Sequence, residues 1–184
     1  MVKHKELLIG AGSSHVKRLS VNDKTEWTDL VTLDINADHQ PDVVWNLENM
    51  PLPFSDDKFD EIHAYEVLEH TGQQGDYVFF FAQFTELWRI LKPGGHLMGT
   101  CPSRHSPWAW GDPSHKRLVQ PENFVFLVQP EYTRQVGTTP MSDFRYMYKA
   151  DFDCIRLADD STVFSFILKA IKPSRITLPL PRKL

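Results

Sequence analysis

The run Leu7 to Ser14, LLIGAGSS, constrains the fold of this chain more than any other segment. A short apolar strand ends there in a turn whose glycines, Gly10 and Gly12, leave backbone N–H groups bare. Without a Cβ in the way, a ligand's polar group can come close to the main chain at such a turn. The next apolar run, Leu30 to Leu33, ends at Asp34. The spacing is close to the roughly 20 residues that separate a nucleotide-type turn from an acid accepting ribose hydroxyls. Two strand ends thus offer the two groups an adenosine-type ligand needs, although a tight turn and a solvated loop acid would read the same way. A dinucleotide turn also wants a third glycine at position 15, for close helix–strand packing. The chain has His15, which argues against an NAD-type turn and leaves room for another adenosine ligand.

Short apolar runs alternate with polar turns and helical patterns, the order that gives a parallel sheet with helices on its faces. Strands are expected near Glu6 to Ile9, Asp29 to Leu33, Asp42 to Trp45, Phe59 to Tyr65 and His96 to Thr100. Phe80, Phe84, Leu87, Trp88 and Leu91 recur at spacings of three and four and predict one helix, with Lys92 at its C-terminus and Pro93-Gly94-Gly95 stopping it. The proline-rich stretch Pro51 to Asp57 predicts a surface turn. From Pro102 to Tyr148 the periodicity weakens and aromatic residues crowd in, an insertion over the C-terminal edge of the sheet. Phe152 to Leu157 and Val163 to Lys172, around the turn Ala158 to Ser161, predict a hairpin.

A chain of 184 residues with 41% hydrophobic content can bury one sizeable core and is too short for two ordinary domains. Its net charge of −4, with no basic block beyond Arg182-Lys183, lacks the footprint of a duplex nucleic-acid binder. Cys101 and Cys154 sit in no zinc-type spacing and fit a reducing compartment. No apolar run approaches the roughly 20 residues of a membrane helix, and no signal-type leader precedes Leu7. A cytoplasmic protein with small or neutral partners and no membrane association is expected.

The series LLIGAGSS, VTLDIN, VVWNLENMPLPFSDDKFDEIHAYEVLEH and ELWRILKPGGHLMGTCPS, from Lys5 to Ser103, resembles the ordered motifs of class I S-adenosylmethionine-dependent methyltransferases, especially the small type 11 members. The resemblance implies an α/β fold: a doubly wound, mostly parallel, Rossmann-like sheet of seven strands with an antiparallel C-terminal strand. It implies one domain over 1–184, with an insertion at about 102–148 as a lid. It further implies that Gly10, Ala11, Gly12 and Ser13 approach the methionine end of S-adenosylmethionine, that Asp34 accepts the ribose hydroxyls and that Ile35 packs on the adenine. Asn46, where the family often has an acid, and Leu47 would lie at the adenine amino group, while Tyr65 and Glu66 would close the cofactor site. The chain departs from the family in one respect: few residues separate Gly12 from the second strand, so the helix that usually follows the first turn must be short or absent.

Chemistry is expected in Tyr65-Glu66-Val67-Leu68-Glu69-His70, because open parallel sheets bind ligands beyond the C-terminal strand ends. Glu66 could neutralise the sulfonium or take a proton, and His70, with an unperturbed pKa near 6.5, is the better-tuned base. Glu69 and His70 could instead simply lie on a short helix. In the insertion, Asp112 and His115 could bind an acceptor's hydroxyl or acidic proton and Trp108 and Trp110 could wall an acceptor, so His115 joins Glu66 and His70 as a catalytic candidate. The alternative is a turn at Asp112-Pro113 and tryptophans in the core. His105, Asp112 and His115 show no recognised ligand spacing, and no metal is expected.

The reading is methyl transfer from S-adenosylmethionine, giving S-adenosylhomocysteine, to a small-molecule or sugar-type acceptor. A cofactor-binding module without catalysis is the alternative. Nucleic acid is disfavoured, because the base-holding Asn/Asp-Pro-Pro-aromatic motif of amino-methylating enzymes is replaced by Tyr-Glu-Val-Leu-Glu-His.

Overall fold

The computed structural model describes residues 4–176. Seven strands form one sheet in the order β3-β2-β1-β4-β5-β7-β6. The first four are β1 (Glu6–Ile9), β2 (Leu30–Asp34), β3 (Val43–Val44) and β4 (Phe59–Tyr65). They are followed by helix α1 (Tyr77–Ile90) and strand β5 (Leu91–Pro102). Strands β1 to β5 pair in parallel, β6 (Phe152–Asp159) and β7 (Val163–Ala170) make the expected hairpin, and β7 enters antiparallel to β5. The crossover from β3 back past β1 to β4 is the switch point at which doubly wound sheets bind ligands.

Each face of the sheet has its own chemistry, set by the alternation of side chains along a strand. Leu7, Ile9, Ile62 and Ala64 point to the main core, where Phe81, Phe84, Leu87 and Ile90 of α1 meet them. Fully burying an aliphatic or aromatic side chain of this size contributes about 1.5–3 kcal/mol, so this face anchors the strand ends above it.

The opposite face carries Glu6 and Leu8 of β1 beside Glu61, His63 and Tyr65 of β4. No helix lies between Gly12 and β2, as the sequence spacing predicts. An irregular segment covers this face instead. Lys17 bridges the buried Glu6 and Glu61, the Trp27 ring meets His63 edge-on at 4.8 Å, and the Tyr65 hydroxyl accepts the N–H groups of Arg18 and Leu19 at 3.1 Å each.

Helix α1 begins at its Asp76 cap, whose side chain accepts the Phe79 N–H at 3.0 Å. It ends at Ile90, short of the expected boundary. Leu91 is already extended and pairs with Phe59, because Pro93 disfavours helical backbone at Lys92. The basic residue of the last turn is therefore Arg89, while Lys92 pairs with Asp60 at 2.6 Å. Strand β5 is longer than predicted, absorbing Pro93-Gly94-Gly95 as an irregularity opposite Phe59 to Glu61, and β3 is shorter.

Between β5 and β6 the chain forms α2 (Trp108–Gly111), α3 (Pro121–Phe124) and α4 (Gln129–Gln135). Phe124, Tyr132 and Tyr148 of this segment are fully buried. Most of its aromatic residues extend the core, whereas Trp108 and Trp110 lie 66% and 59% exposed. Core filling is thereby ruled out for the two tryptophans.

Candidate functional site

A cleft of about 380 Å³ opens at the C-terminal ends of β1, β2 and β4, within the range of small-molecule sites. Gly10, Asp34, Ile35, Asn46, Leu47 and His70 line it. Gly10 and Gly12 both take left-handed backbone, at φ 60° and 55°. At Gly10 a Cβ would come within 2.2 Å of the Val67 side chain, so the turn after β1 packs directly on the turn after β4. Buried Asp34 accepts the Gly12 N–H at 2.7 Å on Oδ2 and the Asn36 N–H at 2.8 Å on Oδ1. Each carboxylate oxygen has a further lone pair for a ligand hydroxyl. Ile35 is 65% exposed above the cleft, as an apolar wall without a partner in the chain would be. Asn46 is partly a turn residue: its Oδ1 accepts the Glu48 N–H at 2.9 Å.

The turn after β4 is strained at its start. Glu66 has φ 51°, costly for a residue with a Cβ, and its N–H donates to the Thr100 carbonyl at 2.9 Å. Leu68 to His70 then form a single 3-10 turn. The insertion clamps this turn. The Glu69 carbonyl accepts the N–H groups of Lys116 and Arg117 at 2.8 and 3.3 Å, and the buried Arg117 guanidinium reaches the Leu68 carbonyl, Thr71 and Gln83. Burial pulls the Arg117 guanidinium down to about 10. Lys116 also pairs with Glu48 across the mouth of the cleft at 2.8 Å.

The clamp brings His70 and His115 together, with ring centroids 4.7 Å apart and edge-on. Asp112 does form the turn that Asp-Pro suggests, its Oδ1 accepting the Ser114 N–H at 2.8 Å, but the same oxygen also accepts the Ser114 hydroxyl at 2.5 Å. With its one proton spent on Asp112, the Ser114 oxygen accepts from His70 Nδ1 at 3.1 Å. His70 Nε2 is then the bare nitrogen. Glu69 beside them is 2% exposed, and neither carboxylate oxygen has a hydrogen-bond partner; its own amide and the Cys101 thiol fall outside hydrogen-bond geometry. Burial pushes its carboxyl up to about 7, and the nearby Glu66 charge adds to the rise.

Not every predicted residue reaches the cleft. Ala11 is buried behind it, Ser13 is exposed beside it, and the Tyr65 side chain turns to the opposite face, where its hydroxyl is engaged. Gly12, Glu66, Asp112 and His115 do not line the cleft, and Trp108 and Trp110 stand in solvent. Trp45, Glu48, Val67, Thr71 and Lys116 line it without having been anticipated. Their only signal in the sequence is proximity to the motifs, since the contact between Lys116 and Glu48 depends on the path of the insertion.

Residues 10–99 match the model of a methyltransferase-domain family. A search among curated proteins finds no significant match. Among solved structures, the chain is similar to a SAM-dependent methyltransferase from Archaeoglobus fulgidus (TM-score 0.56, 16% identity, 90% of this chain and 86% of that one covered). It is also similar to the N-methyltransferase NodS from Bradyrhizobium japonicum WM9, solved with S-adenosyl-l-homocysteine (TM-score 0.54, 14% identity, 91% and 78% covered). A third is the putative methyltransferase of Haloferax volcanii, solved with the Trm112 methyltransferase activator (TM-score 0.54, 13% identity, 91% and 83% covered). With the ordered motifs, the sheet order and the matched domain in agreement, residues 10–99 carry a class I S-adenosylmethionine-dependent methyltransferase domain, and S-adenosylmethionine is its cofactor.

Proposed function

We propose that this chain acts as a single domain and methylates a hydroxyl-bearing small molecule or sugar-type acceptor, with residues 102–148 covering the acceptor side. One observation carries the reading: Gly10, Asp34, Asn46 and His70 line one cleft, so a nucleoside-binding end and a base share a single cavity. In this reading Gly10 to Ser13 and Glu66 receive the methionine end, Asp34 the ribose, and Ile35, Asn46 and Leu47 the adenine. The bare Nε2 of His70 takes the acceptor's proton as its oxygen attacks the methyl carbon. The carbon–sulfur bond breaks, sulfur keeps the electron pair, and S-adenosylhomocysteine leaves. Alignment of the nucleophile behind the methyl group supplies much of the rate. Asp112 holds His70 through Ser114, His115 packs on the His70 ring, and Trp108 and Trp110 offer exposed aromatic surface to the acceptor. The free thiols Cys101 and Cys154 suit action in the cytoplasm. Among the described residues no helix is long and apolar enough to cross a membrane.

The test is S-adenosylhomocysteine release against a panel of sugars and hydroxylated small molecules, with His70→Ala in parallel. Turnover that falls about 100-fold or more in the variant, the usual scale of general-base catalysis, supports the reading. Tight cofactor binding with no turnover on any acceptor favours the non-catalytic module instead.

A further inference from the structure

We propose that Glu69, His70 and His115 form a binding site for one divalent transition-metal ion, with an open coordination position toward the cofactor cleft for an acceptor oxygen. One carboxylate oxygen of Glu69 and one ring nitrogen from each histidine lie within 4.8 Å of one another. Two imidazoles and a carboxylate are the protein donors of a common catalytic zinc arrangement, which keeps its fourth position for water or substrate. Nitrogen donors of this kind suit zinc, cobalt and similar ions better than magnesium.

Two further observations point to the same ion. Glu69 is 2% exposed and both its oxygens lack a hydrogen-bond partner, a condition rare among buried carboxyls and costly where it persists. A cation beside it would supply the missing partner. The histidines are also set up as ligands. His115 Nδ1 faces the Ala109 carbonyl at 3.2 Å, which can only accept, so that nitrogen carries a proton and, in the neutral ring, Nε2 keeps its lone pair, 3.9 Å from Asp112 Oδ2. His70 Nδ1 is held in the same state by Ser114, itself fixed by Asp112. Outer hydrogen bonds of this type fix the tautomer and orientation of metal-binding imidazoles. The backbone bonds from Lys116 and Arg117 to Glu69 hold the three donors in one rigid unit. A second cluster among the described residues, His4, Glu6 and Glu61, has one histidine and two carboxylates, and the Lys17 ammonium already bridges those carboxylates.

This inference rests on the proposed methyl transfer for its consequence but not for its test. With the ion bound, the His70 lone pair would be a ligand and no longer the base: the ion-bound acceptor hydroxyl would lose its proton to solvent instead, and its oxygen would attack the methyl carbon as the carbon–sulfur bond breaks. The ion is unchanged at the end. The test is titration of the chelator-stripped full chain with Co²⁺ and Zn²⁺, followed by visible absorption and metal analysis, with Mg²⁺ as a control and S-adenosylhomocysteine binding measured on the same sample. One cobalt or zinc ion per chain is expected, bound at least 10-fold more weakly in Glu69→Gln and His115→Gln. The exposed Ser114→Ala, which leaves all three ligands in place, should weaken binding about 10-fold. Circular dichroism confirms that each variant is folded. Absence of a stoichiometric ion, or unchanged affinity in folded Glu69→Gln and His115→Gln, overturns the metal site. Cobalt bound without any S-adenosylhomocysteine binding supports the metal site and overturns the cofactor cleft alone.

Discussion

The Gly12 N–H donates to Asp34 Oδ2 across 2.7 Å, tying the turn after β1 to the end of β2. A charge-assisted bond of this kind is roughly twice as strong as a neutral one. It fixes the acid at the strand end while the turn stays open, so the two features first visible in the sequence form one mechanical unit.

Gly10 and Gly12 share a left-handed backbone but differ in what a side chain would meet. At Gly12 a Cβ meets nothing within 4 Å, whereas at Gly10 it meets Val67 at 2.2 Å. Gly12→Ala should cost about 1–2 kcal/mol of backbone strain. Gly10→Ala should cost more, adding overpacking of about 1–3 kcal/mol, and should weaken cofactor binding by displacing the turn after β4. Chemical denaturation of both variants checks the order. Equal losses would contradict the contact between the two turns.

Arg117 ties the insertion to the turn after β4 and to α1 through the Leu68 carbonyl, Thr71 and Gln83. Arg117→Ala leaves the buried Gln83 Oε1 without its partner and removes one charge-assisted bond each from the Leu68 carbonyl and Thr71, which still bond to each other, and should cost about 3 kcal/mol. For a chain of this size that is a fall of roughly 6–12 °C in Tm. Scanning calorimetry gives the answer, and a shift under about 2 °C would mean the insertion is held elsewhere.

Acid should destabilise the fold through the face under Lys17. Burial holds His63 below the usual imidazole value, against the opposing pull of Glu61. Burial alone would raise Glu61, but hydrogen bonds from His63 and Lys17 outweigh it and hold the carboxyl well below the usual carboxylate range. Both groups bind fewer protons folded than unfolded, so stability is fully present above about pH 6.5. It falls first as unfolded His63 protonates and again below about pH 4.5 as unfolded Glu61 does. Urea midpoints between pH 7 and 4 should drop steadily. A flat profile would contradict the buried network.

Trp108 and Trp110 project into solvent, so alanine at either position should change stability by no more than about 0.5 kcal/mol. Once an acceptor is identified, KM for it should rise while kcat and cofactor affinity hold. A loss of several kcal/mol would show instead that these rings are structural.

The parallel core and the hairpin were legible because each depends on a local pattern. Leu7 to Ile9 and Phe59 to Tyr65 are apolar runs at strand spacing, and the missing first helix follows from the short distance between Gly12 and Leu30. What stayed hidden depends on distant contacts. Glu61, His63 and Tyr65 alternate with core residues, but nothing in their own strand says that Lys17 and Trp27 will cover them. Likewise His70 and His115 were each candidates, while Glu69 between them gained its part only when the insertion folded back and left its carboxyl dry. The end of α1 was missed because the apolar stripe runs through Leu91, where Pro93 had already set the backbone.

Calorimetric titration of the wild-type chain and Asp34→Ala with S-adenosylhomocysteine decides whether Asp34 holds the cofactor. One site of micromolar affinity is expected in the wild type, weakened about 100-fold or more in the variant, the scale of two lost hydrogen bonds to a charged acceptor. Absence of binding in the wild type, or equal binding in the two proteins, would contradict the cleft at Gly10 and Asp34 as the cofactor site.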